Sequence, residues 1–302
     1  MDVEQFIKEF EAKQHVRRQK RVDTQLTLPF WNEQQRAMPN SILRSCVFGA
    51  LNIRKGKEKR EMLEREVLAT TGSDSIIYTG IRLDQEHQTL LETLMHIARD
   101  QQLGERCDVT IYQLLKALDK TDTGGNRKVL LRQLAHLKAT AVEIKQGPYS
   151  YTGSFVDDAY RDDDTGRVII ILNQKLVALF QPGHYTKLSW EIRRNLTRPL
   201  AKWLHGYYSS HANPYDVSVQ FIHRLCGSET KSIKDFRNKL LIPSLNELSA
   251  ACAEHGEHFA WAIQPSGLVS VRRDKTASPQ LPLKYSEVTK GKGLDVGPPA
   301  SS

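Results

Sequence analysis

The chain has 302 residues, with 43 Lys and Arg against 35 Asp and Glu, a formal excess of +8. That length suffices for two domains, each burying its own core, and 39% hydrophobic residues exclude a wholly disordered polyelectrolyte. No apolar run reaches the roughly 18 residues of a membrane span, and the modest cationic excess favours polyanions only through its placement.

In chain order, residues 1–45 read as a flexible basic arm. It carries the cationic run from Arg17 to Arg21 and then the apolar insert Leu26-Thr27-Leu28-Pro29-Phe30-Trp31. Its acidic, amphipathic first residues are not those of a signal peptide, so a cytoplasmic protein is expected. Residues 54–66 mix both charges densely and read as a solvated helix or linker.

Alternation over 75–83 predicts a strand, and Leu90, Leu91, Leu94 and Ile97 form a helical stripe over 84–100. A short strand at 108–111 and a helix at 112–118 follow. Gly124 and Gly125 break the chain in a turn at 121–125, supplying backbone angles that other residues resist. A helix then runs over 126–139 with Asn126 as its cap, followed by strands near 141–145, 150–160 and 166–172.

The same order returns further on. A helix at 198–211, a strand at 216–219 and a helix at 220–226 lead to a break at Gly227. A longer helix runs from 231 towards 252, and a hairpin of 258–264 and 268–272 closes on Pro265-Ser266-Gly267. Helix, strand, helix, turn, helix, hairpin is the order of a winged helix-turn-helix domain. The expected fold class is therefore α+β: two tandem winged helix-turn-helix domains with disordered N- and C-terminal arms. The boundaries read as 1–45 for the arm, 46–182 and 183–273 for the two domains, and 274–302 for a Pro-rich disordered tail.

In such a domain the second helix enters the major groove, so its outer face needs long donors for bases and phosphates. The helix after Gly125 offers Arg127, Lys128, Arg132, Gln133 and Lys138 outside, with Leu130, Leu131, Leu134 and Leu137 inside. The helix after Gly227 offers Lys231, Lys234, Arg237, Asn238 and Lys239, against Ile233, Phe236, Leu240 and Leu241. Arg272 and Arg273 end the second wing, placed for phosphates. The plainer reading of each helix alone is a solvated amphipathic face; two in the same context favour double-stranded DNA. Asp157, Asp158 and Asp162–Asp164 at the first hairpin tip run against this and imply that the first wing points away from DNA.

Gln25-Leu26-Thr27-Leu28-Pro29-Phe30 matches the Q-L-x-L-x-F peptide by which bacterial proteins hold the replicative sliding clamp. Gln25 would make polar contacts, with Leu26 beside it, while Leu28 and Phe30 fill an apolar pocket. The alternative is a hydrophobic strap folded back on the first domain, and the sequence leaves both open.

Signals for catalysis are weak. Gly124-Gly125-Asn126-Arg127-Lys128 lacks the spacing of a phosphate-cradling loop. Cys252, His255 and His258 supply only half a zinc site. Asp162–Asp164 suits hairpin turn chemistry better than a metal-dependent nicking site. Cys46, Cys107, Cys226 and Cys252 form no C-x-x-C pair and read as reduced thiols. No enzyme activity, no cofactor and no metal are expected.

Several blocks, taken in order, resemble one family: Q-L-T-L-P-F at 25–30, R-A-M-P-N at 36–40, Y-T-G at 78–80, H-Y-T-K-L-S-W-E at 184–191, Y-Y-S-S-H at 207–211 and L-C-G-S at 225–228. The chain resembles the TrfA-type replication initiators of plasmids, and more distantly other iteron-binding Rep proteins with two winged-helix domains. The resemblance implies an initiator that binds direct repeats (iterons) at a plasmid origin and helps open an AT-rich region. It implies recruitment of host DnaA, the replicative helicase and the sliding clamp. It also implies an active monomer, an inactive dimer joined through the first domain, and a part in plasmid copy control. Pro29 departs from the family's clamp pentapeptide. The competing reading is a dimeric winged-helix transcriptional repressor on a palindromic operator.

Overall fold

The computed structural model describes residues 27–51, 60–72, 74–100, 104–162, 165 and 167–274. The cationic run at 17–21, Gln25, Leu26, Asp163, Asp164 and the tail beyond 274 lie outside the described residues. Two hydrophobic cores organise the rest. One draws its buried side chains from Leu28 to Leu188, the other from Ile192 to Val271.

The first core is built from β1 (Gln35–Pro39), α1 (Asn40–Leu43), β2 (Phe48–Gly49), β3 (Met62–Leu68), β4 (Ser75–Ile81) and β5 (Leu83–Asp84). Then come α2 (Gln85–Ala98), β6 (Arg106–Thr110), α3 (Ile111–Ala117), α4 (Gly124–Lys138), β7 (Ala141–Gln146), β8 (Tyr149–Gly153), β9 (Val156–Asp162), β10 (Arg167–Leu172) and β11 (Tyr185–Ser189). The second core follows with α5 (Trp190–Asn195), α6 (Pro199–Ser209), β12 (Val217–Ser218) and α7 (Val219–Leu225). It ends with α8 (Ile233–Asp235), a π-helical segment Phe236–Leu241, α9 (Ile242–Glu254), β13 (His258–Ile263) and β14 (Leu268–Asp274).

The winged helix-turn-helix arrangement occurs twice. Strands order as β6-β10-β9 in the first domain and β12-β14-β13 in the second, antiparallel throughout. In both, a short strand before the helix pair lies against the last strand of the wing hairpin. The first domain carries an addition. The hairpin β7–β8 intervenes between α4 and the wing and joins β3 and β4 in a four-stranded sheet, order β3-β4-β7-β8. The single strand expected at 150–160 is thus two strands in different sheets.

Local chemistry explains the helix starts. Asp84 caps α2 by accepting from the Glu86 and His87 amides at 3.0 and 3.2 Å, satisfying donors that have no partner within the helix. Thr110 and Gln113 form a reciprocal capping box at the head of α3, 3.1 and 2.8 Å. Thr123, not Asn126, caps α4, accepting from the Asn126 amide at 3.2 Å. Gly124 and Gly125 therefore lie in the first helical turn, and neither has positive φ. The expected unusual backbone sits instead at Asp119 (φ 56°) and, in the second domain, at Gly227 (φ 65°).

Three further expectations are corrected. Part of 54–66 is strand β3, whose outer face leaves Met62 and Val67 exposed. The arm does not extend to residue 45. Trp31, Met38, Ile42 and Leu43 are buried in the first core, and β1 pairs with β11. That pairing also carries the first core past residue 182, to Leu188.

Trp31 anchors the chain entry by stacking on Phe180 and donating to His96 Nδ1 at 3.0 Å. Arg36 donates to the same nitrogen at 3.1 Å. With two donors on Nδ1, the His96 proton must sit on Nε2, which meets Glu33 at 2.9 Å.

The two cores meet along α2 and α6. Trp203 donates to the Ser45 carbonyl at 2.9 Å, and Glu86 binds Lys120 and Lys202 at 2.8 and 2.6 Å. No helix among the described residues is long and apolar enough to cross a membrane.

Candidate nucleic-acid interface

Each winged domain presents one long helix after a turn, and the burial pattern fixes which face looks outward. In α4, Leu130, Leu134 and Leu137 are buried, and Arg127, Lys128, Val129, Arg132 and Lys138 are exposed. The helix lies against β9, so its charge must be reckoned together with the acidic start of that strand.

Five expected DNA contacts on α4 thus divide. Lys128 and Arg132 stand on the exposed face. Gln133 is turned inward and is 8% exposed, because a polar residue three positions after Leu130 falls on the apolar stripe. Arg127 is held by Asp122 through two bonds of 2.6 Å. That fork holds the Asp122 carboxyl below its usual range and lifts the Arg127 guanidinium above its own. Lys138 binds Asp158 at 2.7 Å and the Asp157 carbonyl at 2.9 Å. Asp157 and Asp158 open β9 beside the end of α4 and are not at the hairpin tip.

The second domain is more open. Ser218 caps α7 and Ser232 caps α8, accepting from the amides of Phe221 and Asp235 at 3.0 and 3.2 Å. Lys231, Lys234, Arg237, Asn238 and Lys239 are all exposed, while Phe236 and Leu241 point into the core. Lys239 makes an i,i+4 pair with Asp235 at 3.1 Å, which contributes a few tenths of a kcal/mol on a helix surface, about 0.3–0.5. Among the described residues no hydrogen bond or ion pair engages the side chain of Arg237 or Asn238.

The two arginines expected on the wing differ in exposure. Arg272 is exposed. Arg273 folds back, donating to the Tyr208 carbonyl at 2.7 Å and lying 3.6 Å from Glu257. Its side chain is 12% exposed, and burial lowers its pKa against the opposing pull of Glu257. Strand alternation accounts for the difference: neighbours in β14 face opposite sides of the hairpin.

Of the clamp-like peptide, Leu28 is seated in the first core, and Phe30 is 75% exposed. Among the described residues no group of three or more His, Cys, Asp or Glu could hold a metal ion. Cys252 is buried, and desolvation pushes its thiol up to about 12.

A family model described as "TrfA protein" matches residues 5–256, which takes in the whole first core and the second as far as α9, short of the hairpin β13–β14. The chain belongs to the TrfA family. The plasmid replication initiator protein TrfA of Escherichia coli is 30% identical over 219 residues, covering 70% of this chain and 56% of the relative. This TrfA-family chain thus spans little more than half the length of that relative. Among solved structures, the Pi initiator protein in complex with iteron DNA is similar at TM-score 0.47 and 9% identity, over 63% of this chain and 94% of that one. Domains 2–3 of RctB are similar at TM-score 0.46 and 11% identity, over 77% and 95%.

Sequence reasoning missed one feature of the interface that does leave a signal in the sequence. Pro243 follows the Arg237–Lys239 cluster inside a helical pattern, and an internal proline signals a distorted helix. The pairing of Lys138 with Asp158 leaves no comparable signal, since it depends on β9 returning beside α4.

Proposed function

We propose that the chain starts plasmid replication by binding direct repeats in origin DNA, with α4 and the helix spanning α8 to α9 as its two reading elements. The observation that carries this reading is the tandem pair of exposed cationic helix faces on separate cores, in a member of the TrfA family. Arg127, Lys128, Arg132, Lys138, Lys231, Lys234, Arg237, Asn238, Lys239 and Arg272 are the contacts that exposure supports, with Arg127, Lys138 and Lys239 each sharing its charge with a neighbouring aspartate. Arg and Lys suit guanine edges and phosphates, and Asn suits adenine. Gln133 and Arg273 serve packing instead.

On the same reading the bound initiator promotes opening of an AT-rich region and recruits DnaA, the replicative helicase and the sliding clamp. Exposed Phe30 supports the clamp contact. The monomer is the DNA-bound form and the dimer a stored one.

Footprinting on the plasmid's own origin tests the core of the proposal. Tandem protected repeats, spaced by about two helical turns, are expected. A lone symmetric site would instead identify a dimeric repressor. Lys234→Ala and Arg237→Ala should each weaken binding, with the salt slope falling by about 0.9 where a phosphate contact is lost and base discrimination falling where a base contact is lost.

A further inference from the structure

The helix that carries Arg237, Asn238 and Lys239 is not regular. It begins as α-helix at Ile233–Asp235, widens to a π-helix over Phe236–Leu241, and returns to α-helix at Ile242–Glu254. At the end of the wide segment the Ile242 amide bonds to the Arg237 carbonyl, five residues back. The next residue is Pro243. It has no amide hydrogen, and in a regular α-helix its ring would press on the carbonyl four residues earlier, that of Lys239. Widening the preceding turn is a recognised way to relieve this conflict, and such π segments recur at functional sites.

The widening changes which side chains share a face. In an α-helix three consecutive residues fan over roughly 200° of the circumference, so one of them is forced toward a flank. A π turn holds one residue more, and the fan narrows. Arg237, Asn238 and Lys239 lie in this narrowed fan and are all exposed, between buried Phe236 and buried Leu241. Lys239 is tied to Asp235, whereas among the described residues the side chains of Arg237 and Asn238 make no hydrogen bond or ion pair. A bidentate guanine reader beside a bidentate adenine reader suits two neighbouring base pairs.

We propose that Pro243 is a specificity-determining positioning residue: by enforcing the π segment it aims Arg237 and Asn238 at adjacent base pairs of double-stranded DNA. This rests on the reading of α8 to α9 as a DNA-reading helix.

The test compares the full chain with its Pro243→Ala variant. Preferred duplexes are selected from a random-sequence pool, then challenged with every single-base-pair change. Pro243→Ala should alter discrimination at one or two adjacent base pairs by roughly five- to a hundred-fold. The salt slope should stay unchanged, because no cation is removed. A purely structural proline would move the melting temperature or overall affinity and leave base preference alone. Arg237→Ala and Asn238→Ala should lose discrimination at the same base pairs. An unchanged preference in Pro243→Ala, alongside losses in those two variants, overturns the proposal but not the reading helix. Undiminished binding and preference in Arg237→Ala and Asn238→Ala overturns both. Pro243→Ser, read the same way, substitutes if the alanine variant does not fold.

Discussion

Arg193 and Glu92 lie 2.7 Å apart at the seam between the two cores, with their side chains 1% and 0% exposed. The contact is an ion pair rather than an aligned hydrogen bond. The guanidinium spends its other donors on Gln85 Oε1 at 3.2 Å, Thr89 Oγ1 at 3.1 Å and the Lys202 carbonyl at 3.3 Å. Gln88 donates to Glu92 at 2.8 Å. Burial raises the Glu92 pKa and Arg193 opposes it.

Removing one partner leaves the other charge buried and alone. Glu92→Ala should therefore cost about 3–5 kcal/mol in urea unfolding. The double change Glu92→Leu with Arg193→Met should cost much less, since an apolar pair of similar volume needs no solvation. Equal losses in the single and double variants would show that packing, not charge, holds the seam.

His136 ties the stability of α4 to pH. Its Nδ1 lies 3.1 Å from His87 Nε2, with the rings stacked. Burial first, then electrostatic repulsion from the His87 and Arg60 side, lowers its pKa from 6.5 to about 4. The unfolded chain binds this proton more readily than the folded one. Stability from this site is thus complete above 6.5 and is lost as pH falls through about 4. Urea midpoints measured across that window should fall with acidification, and His136→Gln should flatten the fall.

The strap separates packing from recognition. Trp31 is fully buried, so Trp31→Ala should cost about 3–5 kcal/mol. Leu28→Ala should cost about 2–5 kcal/mol for the same reason. Phe30 is exposed, so Phe30→Ala should stay within about 0.5 kcal/mol while weakening capture of the sliding clamp. Clamp capture that survives Phe30→Ala intact would assign residues 27–31 to folding alone.

How far the sequence could be read depends on the range of the interactions involved. Periodicity located the helix stripes because Leu130, Leu134 and Leu137 obey local geometry. The repeat of helix, strand, helix, helix and hairpin was legible for the same reason. What depended on distant strands was not. Trp31 and Met38 look like parts of a polar arm until β1 finds β11, about 150 residues later. Tyr149–Gly153 and Val156–Asp162 look like one strand until their partners separate them. On the proposed reading face, composition supplied the donors but not their directions. Arg132 and Gln133 are neighbours in sequence, yet one helical step of roughly 100° leaves Arg132 outside and carries Gln133 onto the buried stripe of Leu130 and Leu137.

The last prediction concerns charge that the first domain withholds. Lys138 ends α4, but Asp158 engages it at 2.7 Å, and this bond, outweighing slight desolvation, holds the Asp158 carboxyl below its usual range. Both side chains are about half exposed, 46% and 49%, so the pair adds little stability. Its effect on a polyanion is larger: the carboxylate repels phosphates and occupies an ammonium that could meet one. Asp158→Asn removes the charge and keeps the shape. If α4 lies along DNA, this variant should bind duplex more tightly at low salt, with a slope steeper by up to about 0.9. Lys138→Ala made on top should cancel the gain. Asp158→Asn binding with unchanged affinity and slope would place the end of α4 away from the phosphate backbone.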